Sequence, residues 1–163
     1  MKKILVVIFC LVTYAGHAQT EAVKLYHPEA DAEKDIAAAL KKAKAENKYV
    51  LLLGGGNWCS WCIEFEKFCK ADPTIDSVLN SAFISYHLNW SKENENKKIF
   101  AKYGYAQRFG FPVFIILNEK GERLHTQNSE YLEDGKKSYS RNRVIGFFEM
   151  WTPNALNPKM YGD

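Results

Sequence analysis

The sequence predicts an α/β fold, and three stretches carry that prediction. Tyr49-Val50-Leu51-Leu52-Leu53 is a continuous apolar run, the pattern of a strand covered on both faces. After the glycine triplet Gly54-Gly55-Gly56, residues Cys62, Phe65 and Cys69 recur at i, i+3 and i+7 with Phe68 beside them. This is the spacing of an amphipathic helix whose other side holds Glu64, Glu66, Lys67 and Lys70. Farther on, Phe111 to Leu117 is a second apolar run. Asn118-Glu119-Lys120-Gly121 then makes a turn, and Arg123 to Thr126 returns antiparallel.

The elements around these follow in order. Met1-Lys2-Lys3 is a short basic start, and Ile4 to Val12 is an apolar run too short to span a bilayer as a stable helix. Gly16-His17-Ala18 places small residues where a signal peptidase reads. Residues 1–18 therefore read as a secretory signal that is removed, with a retained membrane anchor as the alternative. Cys10 follows Phe9, too bulky for a lipoprotein cleavage box, which argues against a lipid anchor. Residues 19–163 remain as one domain of 145 residues (163 minus 18), enough for a proper core. The net charge falls from +3 to +1 because Lys2 and Lys3 leave without an acidic residue. No basic patch interleaved with aromatics follows, so nucleic acid is not implied, and the mature form contains no membrane span.

Ala32 to Asn47, with Ile36, Ala39, Leu40 and Ala43 on one side, reads as an amphipathic helix covering the sheet. Asp72-Pro73 supplies a cap and a helix-start proline before Ile75, Val78 and Leu79. Phe83 to Leu88 alternates loosely as a strand. Ser91 to Lys98 reads as the exposed start of a helix running to Tyr103, and Val144 to Trp151 as a short final helix after a polar, aperiodic stretch from Asn128 to Arg143. Internal repeats and low-complexity blocks are absent.

Asn57-Trp58-Cys59-Ser60-Trp61-Cys62 carries the chemistry. The pair stands where a buried strand ends and a helix starts. Unpaired N–H groups and the positive end of the helix dipole there favour a thiolate over a thiol. Helical residues three apart lie about 5–6 Å apart at Cβ, whereas a disulfide needs about 3.8 Å. With Cys59 in the less constrained cap region that gap closes, and the pair can cycle between dithiol and disulfide. Three other readings stand beside this one. They are a fixed structural disulfide, a zinc half-site lacking its second Cys-x-x-Cys, and an inert pair. Cys69 lies about 10 Å along the helix axis from Cys62, too far to bond with it, and reads as a buried apolar filler or, alternatively, a regulatory thiol. His87 and His125 read as satisfied or exposed histidines.

Trp58-Cys59-x-x-Cys62 after a hydrophobic strand resembles the active site of the thioredoxin superfamily. Lys102-Tyr103-Gly104, then Phe111-Pro112-Val113-Phe114-Ile115-Ile116-Leu117 and Glu119-Lys120-Gly121-Glu122, resembles that fold's cis-proline strand and hairpin. The resemblance covers about residues 32–127 and is expected to extend to the C-terminus. It implies a central mixed β-sheet flanked by helices, with the proline strand opposite the cysteine-bearing helix. A proline opening a strand otherwise only marks an edge. By resemblance, Pro112 is cis, shields the sulfurs and excludes a metal ion, while Phe111 offers backbone groups to a substrate chain. Trp58, Trp61 and Phe111 would form an apolar collar suited to polypeptide segments, although Trp58 fits a core role equally well.

The sequence departs from the family pattern at three places. Ser60-Trp61 is not the Gly-Pro of cytosolic thioredoxins, and Tyr103-Gly104 is joined to Phe111-Pro112 by a longer connection. Leu53 stands where thioredoxin has its buried acid, so that proton acceptor is missing, and resolution is expected to be slower near neutral pH or to use water or a residue from elsewhere. The resemblance thus implies a thiol–disulfide oxidoreductase, and the signal read at residues 1–18 makes it an exported one, periplasmic or extracellular. Cys59 and Cys62 form the redox-active disulfide, and Trp58, Trp61, Phe111 and Pro112 bind substrate. The partners would be protein disulfide or dithiol substrates and a recycling redox protein, with no cofactor and no metal. The competing class is a non-catalytic interaction module with Cys59–Cys62 as a structural lock.

Overall fold

The computed structural model describes residues 24–162. The secretory signal expected at 1–18 lies outside them. Helix α1 (Ala32–Glu46) opens on Asp31, whose side chain accepts from the Lys34 N–H, and closes on Asn47 in the left-handed region at φ 53°. Strand β1 (Tyr49–Gly55) then leads into α2 (Ser60–Ala71), and Asp72-Pro73 opens α3 (Pro73–Ala82), with the aspartate side chain accepting from the Thr74 and Ile75 N–H groups. Strand β2 (Phe83–Asn89), α4 (Lys97–Lys102), β3 (Val113–Leu117), β4 (Arg123–Asn128) and α5 (Arg141–Met150) complete the described residues, with short 3-10 turns between several of them.

The four strands form one mixed sheet in the order β2-β1-β3-β4. β1 pairs parallel with β2 and antiparallel with β3, and β4 returns antiparallel on β3. The parallel pair requires a crossover, which α2 and α3 provide. Period-two alternation assigns the two faces. Leu51, Leu53, Phe114 and Ile116 point into a core closed by α2, α3 and α5. Val50, Leu52, Val113, Ile115 and Leu117 point into a second core closed by α1 and α4. Both central strands are therefore apolar throughout.

Two stretches differ from the sequence expectation. No helix begins at Ser91, and α4 covers only Lys97–Lys102. The preceding segment is organised by asparagine side chains. Asn89 Nδ2 donates to Asn94 O (2.6 Å), Asn96 Nδ2 donates to Asn89 O (2.9 Å), and Asn94 Nδ2 donates to Pro28 O (3.0 Å). Short amide side chains that bond the backbone compete with helix formation, and here they win. The aperiodic stretch after Asn128 holds a one-turn 3-10 helix and a Glu133–Tyr139 bridge before α5, which begins three residues earlier than expected.

Phe65 of α2 joins the helices to the sheet. Its ring packs on Phe114 at 4.4 Å, Tyr139 at 4.9 Å and Phe148 at 6.3 Å between centroids. Phe65→Ala should lower unfolding stability by about 3–5 kcal/mol, read as an earlier urea midpoint with an unchanged slope. A loss below about 1 kcal/mol would mean that α2 is not anchored through this ring.

Candidate active site at the strand–helix junction

β1 ends at Gly55, a turn carries Asn57 and Trp58, and Cys59 is the N-cap residue of α2 in extended conformation (φ −89°, ψ 102°). Cys59 Sγ accepts from the backbone N–H of Cys62 at 3.1 Å, a capping bond in which the donor is shared with Cys59 O, also at 3.1 Å. Cys59 and Cys62 are joined as a disulfide, their Cα atoms 5.3 Å apart. Only 5% of Cys59 and 3% of Cys62 are exposed.

Phe111, Trp58 and Trp90 form an aromatic group on one side of the pair. Trp58 is 60% exposed, yet its indole is fixed: Nε1 donates to Trp90 O at 2.7 Å, and its ring meets Phe111 edge-on at 5.7 Å. The Phe111–Pro112 peptide is cis, Pro112 is buried, and the β3 ladder begins one residue later. Trp61, half-buried, meets Tyr139 edge-on at 5.4 Å, and Tyr139 Oη donates to Trp61 O at 3.0 Å. Trp61 thus touches both the cysteine cluster and the main core. A cleft of about 650 Å³ opens beside Trp58, lined among others by Asn57, Asn89, Ser91 and Glu93. A cleft of similar size, about 690 Å³, lies away from the pair, between the start of α1 and residues 92–99.

The other side of the pair is built by residues that have no signal in the motif. Asn57 Oδ1 accepts from the Leu25 and Tyr26 N–H groups (3.0 and 3.1 Å), and its Nδ2 donates to Tyr26 O at 2.7 Å. This clamp seats Tyr26, 1% exposed, in one cluster with Cys59 and Cys62. A Cβ on Gly55 would stand 2.5 Å from Cys62 Sγ and 2.6 Å from Tyr26 Oη. The sulfur and the hydroxyl are therefore no more than 5.1 Å apart (2.5 plus 2.6), and position 55 has no room for a side chain. Burial pushes the Tyr26 phenol well above its usual range, with the Glu66 charge adding to the effect.

Glu66 lies one helical turn after Cys62 and faces inward, not toward solvent as the charge pattern predicts. Its Oε2 bonds His87 Nε2 at 3.2 Å and its Oε1 pairs with Lys70 at 2.8 Å. The His87 bond, reinforced by Lys70, holds the Glu66 carboxyl down at about 2. His87 meets the Tyr26 ring edge-on at 5.2 Å and is directly opposite Leu53 in the β1–β2 register. The i, i+4 spacing of Cys62 and Glu66 is the one signal that would have found the glutamate; Tyr26, Asn57 and His87 have none. His125 stacks on Trp151 at 4.2 Å, against α5. Cys69 is buried, and burial, followed by nearby carboxylates, pushes its thiol well up, as for an inert filler. Among the described residues no helix is long and apolar enough to cross a membrane.

Comparisons with known proteins agree with this geometry. A family model described as thioredoxin-like matches residues 31–119, more than half of the chain. The thiol:disulfide interchange protein DsbD of Salmonella typhimurium is 26% identical over 113 residues, which is 69% of this chain but only 17% of that protein. Among solved structures, a disulphide isomerase from Xylella fastidiosa superposes with a TM-score of 0.66 at 24% identity, covering 76% of this chain and 93% of that one. The oxidised C-terminal domain of Neisseria meningitidis DsbD superposes with a TM-score of 0.54 at 18% identity, covering 74% and 96%. The family match falls on α1 to β3, the part of the chain that builds the sheet centre and presents the cysteines, and by it the chain belongs to the thioredoxin-like family.

Proposed function

We propose that this protein is an exported thiol–disulfide oxidoreductase that exchanges disulfides with protein substrates through Cys59 and Cys62. The observation that carries the reading is the Cys59–Cys62 disulfide across the N-cap of α2, with a backbone N–H already directed at Cys59 Sγ. When the bond is reduced, that donor and the helix dipole stabilise negative charge on Cys59, the sulfur at the helix end. The thiolate attacks one sulfur of a substrate disulfide, and the other substrate sulfur leaves as a thiolate. Cys62 then attacks Cys59 Sγ, closing the intramolecular disulfide and releasing the second substrate thiolate. The substrate gains two electrons and the cysteine pair loses two. The reverse sequence oxidises a substrate dithiol.

The name of the Salmonella relative, a thiol:disulfide interchange protein, supports the same chemistry, although this chain spans a small part of that protein. Trp58, Trp61, Phe111 and Pro112 provide an apolar surface around the sulfurs, which suits a polypeptide segment. Export rests on the basic, then apolar, then small-residue order of residues 1–18. A second, recycling redox protein is required for repeated turnover.

Trapping tests the reading. Cys62→Ser should accumulate covalent complexes that reducing agent dissolves, because nothing releases the substrate from Cys59. Cys59→Ser should trap almost none, and Cys69→Ala should behave as the parent. Equal trapping by Cys59→Ser and Cys62→Ser would overturn the assignment of separate attacking and resolving cysteines. No trapping by either, with no reduction of insulin disulfides by the dithiol form, would leave a structural lock on an interaction module.

The capping geometry makes a separate prediction. In the reduced protein, the alkylation rate of Cys59 against pH should have its midpoint below that of a free thiol, about 8.5. A midpoint at or above that value would remove the activation argument.

A further inference from the structure

Resolution requires Cys62 to lose a proton, and the fold buries that residue, which is only 3% exposed. Leu53, on the neighbouring strand, offers no acceptor. The structure places one titratable group against the sulfur and two more behind it, from three elements in all. Tyr26 is on the N-terminal segment, with its hydroxyl at most 5.1 Å away (2.5 plus 2.6). Glu66 is on α2, one turn beyond Cys62, with Lys70 on its outer oxygen and Cys69 buried beside it. His87 is on β2, bonded to Glu66 and edge-on to Tyr26.

We propose that His87, held by Glu66, accepts the Cys62 proton during resolution, and that the Tyr26 hydroxyl donates a hydrogen bond to the resulting thiolate. This rests on the exchange reading above and deepens it. A carboxylate accepts only, so the imidazole nitrogen facing Glu66, Nε2, carries the hydrogen and Nδ1 is the basic nitrogen. Glu66 is an anion through the whole neutral range and compensates the imidazolium formed by the transfer. The Tyr26 phenol keeps its proton and acts as a donor, not a base. In the step itself, the Cys62 S–H proton passes to His87 and the Cys62–Cys59 sulfur bond forms. The bond from Cys59 to the substrate sulfur breaks, and its electron pair leaves on the substrate sulfur. The imidazolium then returns its proton to that thiolate or, since His87 is 23% exposed, to solvent.

Two consecutive absorbance phases separate this proposal from the exchange reading. The reduced, processed protein, carrying Cys69→Ala to remove the spare thiol, is mixed with one equivalent of 5,5′-dithiobis(2-nitrobenzoate). Attack by Cys59 releases the first thionitrobenzoate, and attack by Cys62 on the mixed disulfide releases the second. His87→Gln and Glu66→Gln should leave the first phase within about twofold and slow the second at neutral pH by roughly tenfold or more, general-base assistance being typically worth 10²–10⁴. The slowed phase should approach the parent rate as the pH rises and hydroxide takes the proton, and free imidazole should partly restore it in His87→Ala. Tyr26→Phe, which keeps the ring against His87, should slow the second phase by roughly fivefold, the scale of one hydrogen bond. A second phase with parental rate and pH profile in both His87→Gln and Glu66→Gln overturns the proposal. So does a slowing by one constant factor at every pH, which is a packing effect. Loss of the first phase in the parent would overturn the exchange reading instead.

Discussion

β1 has no solvent face. Its alternate side chains fill two separate cores, and its parallel and antiparallel neighbours take up its backbone groups on both edges. A strand constrained on four sides ends at a defined point, and the first turn of α2 starts from that point. Cys59 is accordingly a capping residue fixed by the sheet, not a loop residue free to sample positions. The glycines that close the strand serve the same geometry. A side chain at Gly55 would occupy the space shared by Cys62 Sγ and the Tyr26 hydroxyl, and one at Gly56 would meet the Trp90 carbonyl at 2.8 Å.

The sulfurs are then covered from two directions by segments far apart in sequence. Phe111 and Trp58 come from the chain before β3 and from the turn after β1, and the indole is tied to the end of β2 through Trp90 O. Tyr26 arrives from the N-terminal side, where it and Leu25 make three hydrogen bonds with the Asn57 side chain. Asn57 is thus part of the site in a positioning sense. It makes the segment before α1 a wall beside Cys59 and Cys62.

The fold was largely legible because its signals are local and strong. The apolar run at Tyr49–Leu53, the 3-4-7 spacing of Cys62, Phe65 and Cys69, and the Asp72-Pro73 cap each report a backbone state without knowledge of partners. The sequence reading failed where side chains compete with the helix. Asn89, Asn94 and Asn96 bond backbone across the loop, and composition alone does not show which carbonyls they reach. The cysteine pair and its aromatic neighbours were equally visible as a motif. Tyr26, Asn57, Glu66 and His87 were not, because what brings them together is register and a clamp. His87 faces Leu53 only once β2 pairs with β1. Glu66 belongs to the polar side of α2 by charge, and its inward direction follows from a histidine on another element.

The two sulfurs therefore sit in opposite electrostatic surroundings on one helix. Cys59 is at the positive end of the dipole with an N–H donor on it, so ionisation there is favoured by fixed backbone groups. Cys62 is a full turn inside, three residues on, with a carboxylate one turn farther along the same face and almost no water. On the exchange reading we propose, release of its proton waits for a neutral group to take it. On the same proposed reading, two chemically identical side chains are thereby suited to different roles by position alone, one as the attacking thiolate and the other as the thiol held back. The Glu66 carboxylate on the Cys62 side is held in place from both oxygens, by the Lys70 ammonium at 2.8 Å and by a hydrogen bond with His87 at 3.2 Å.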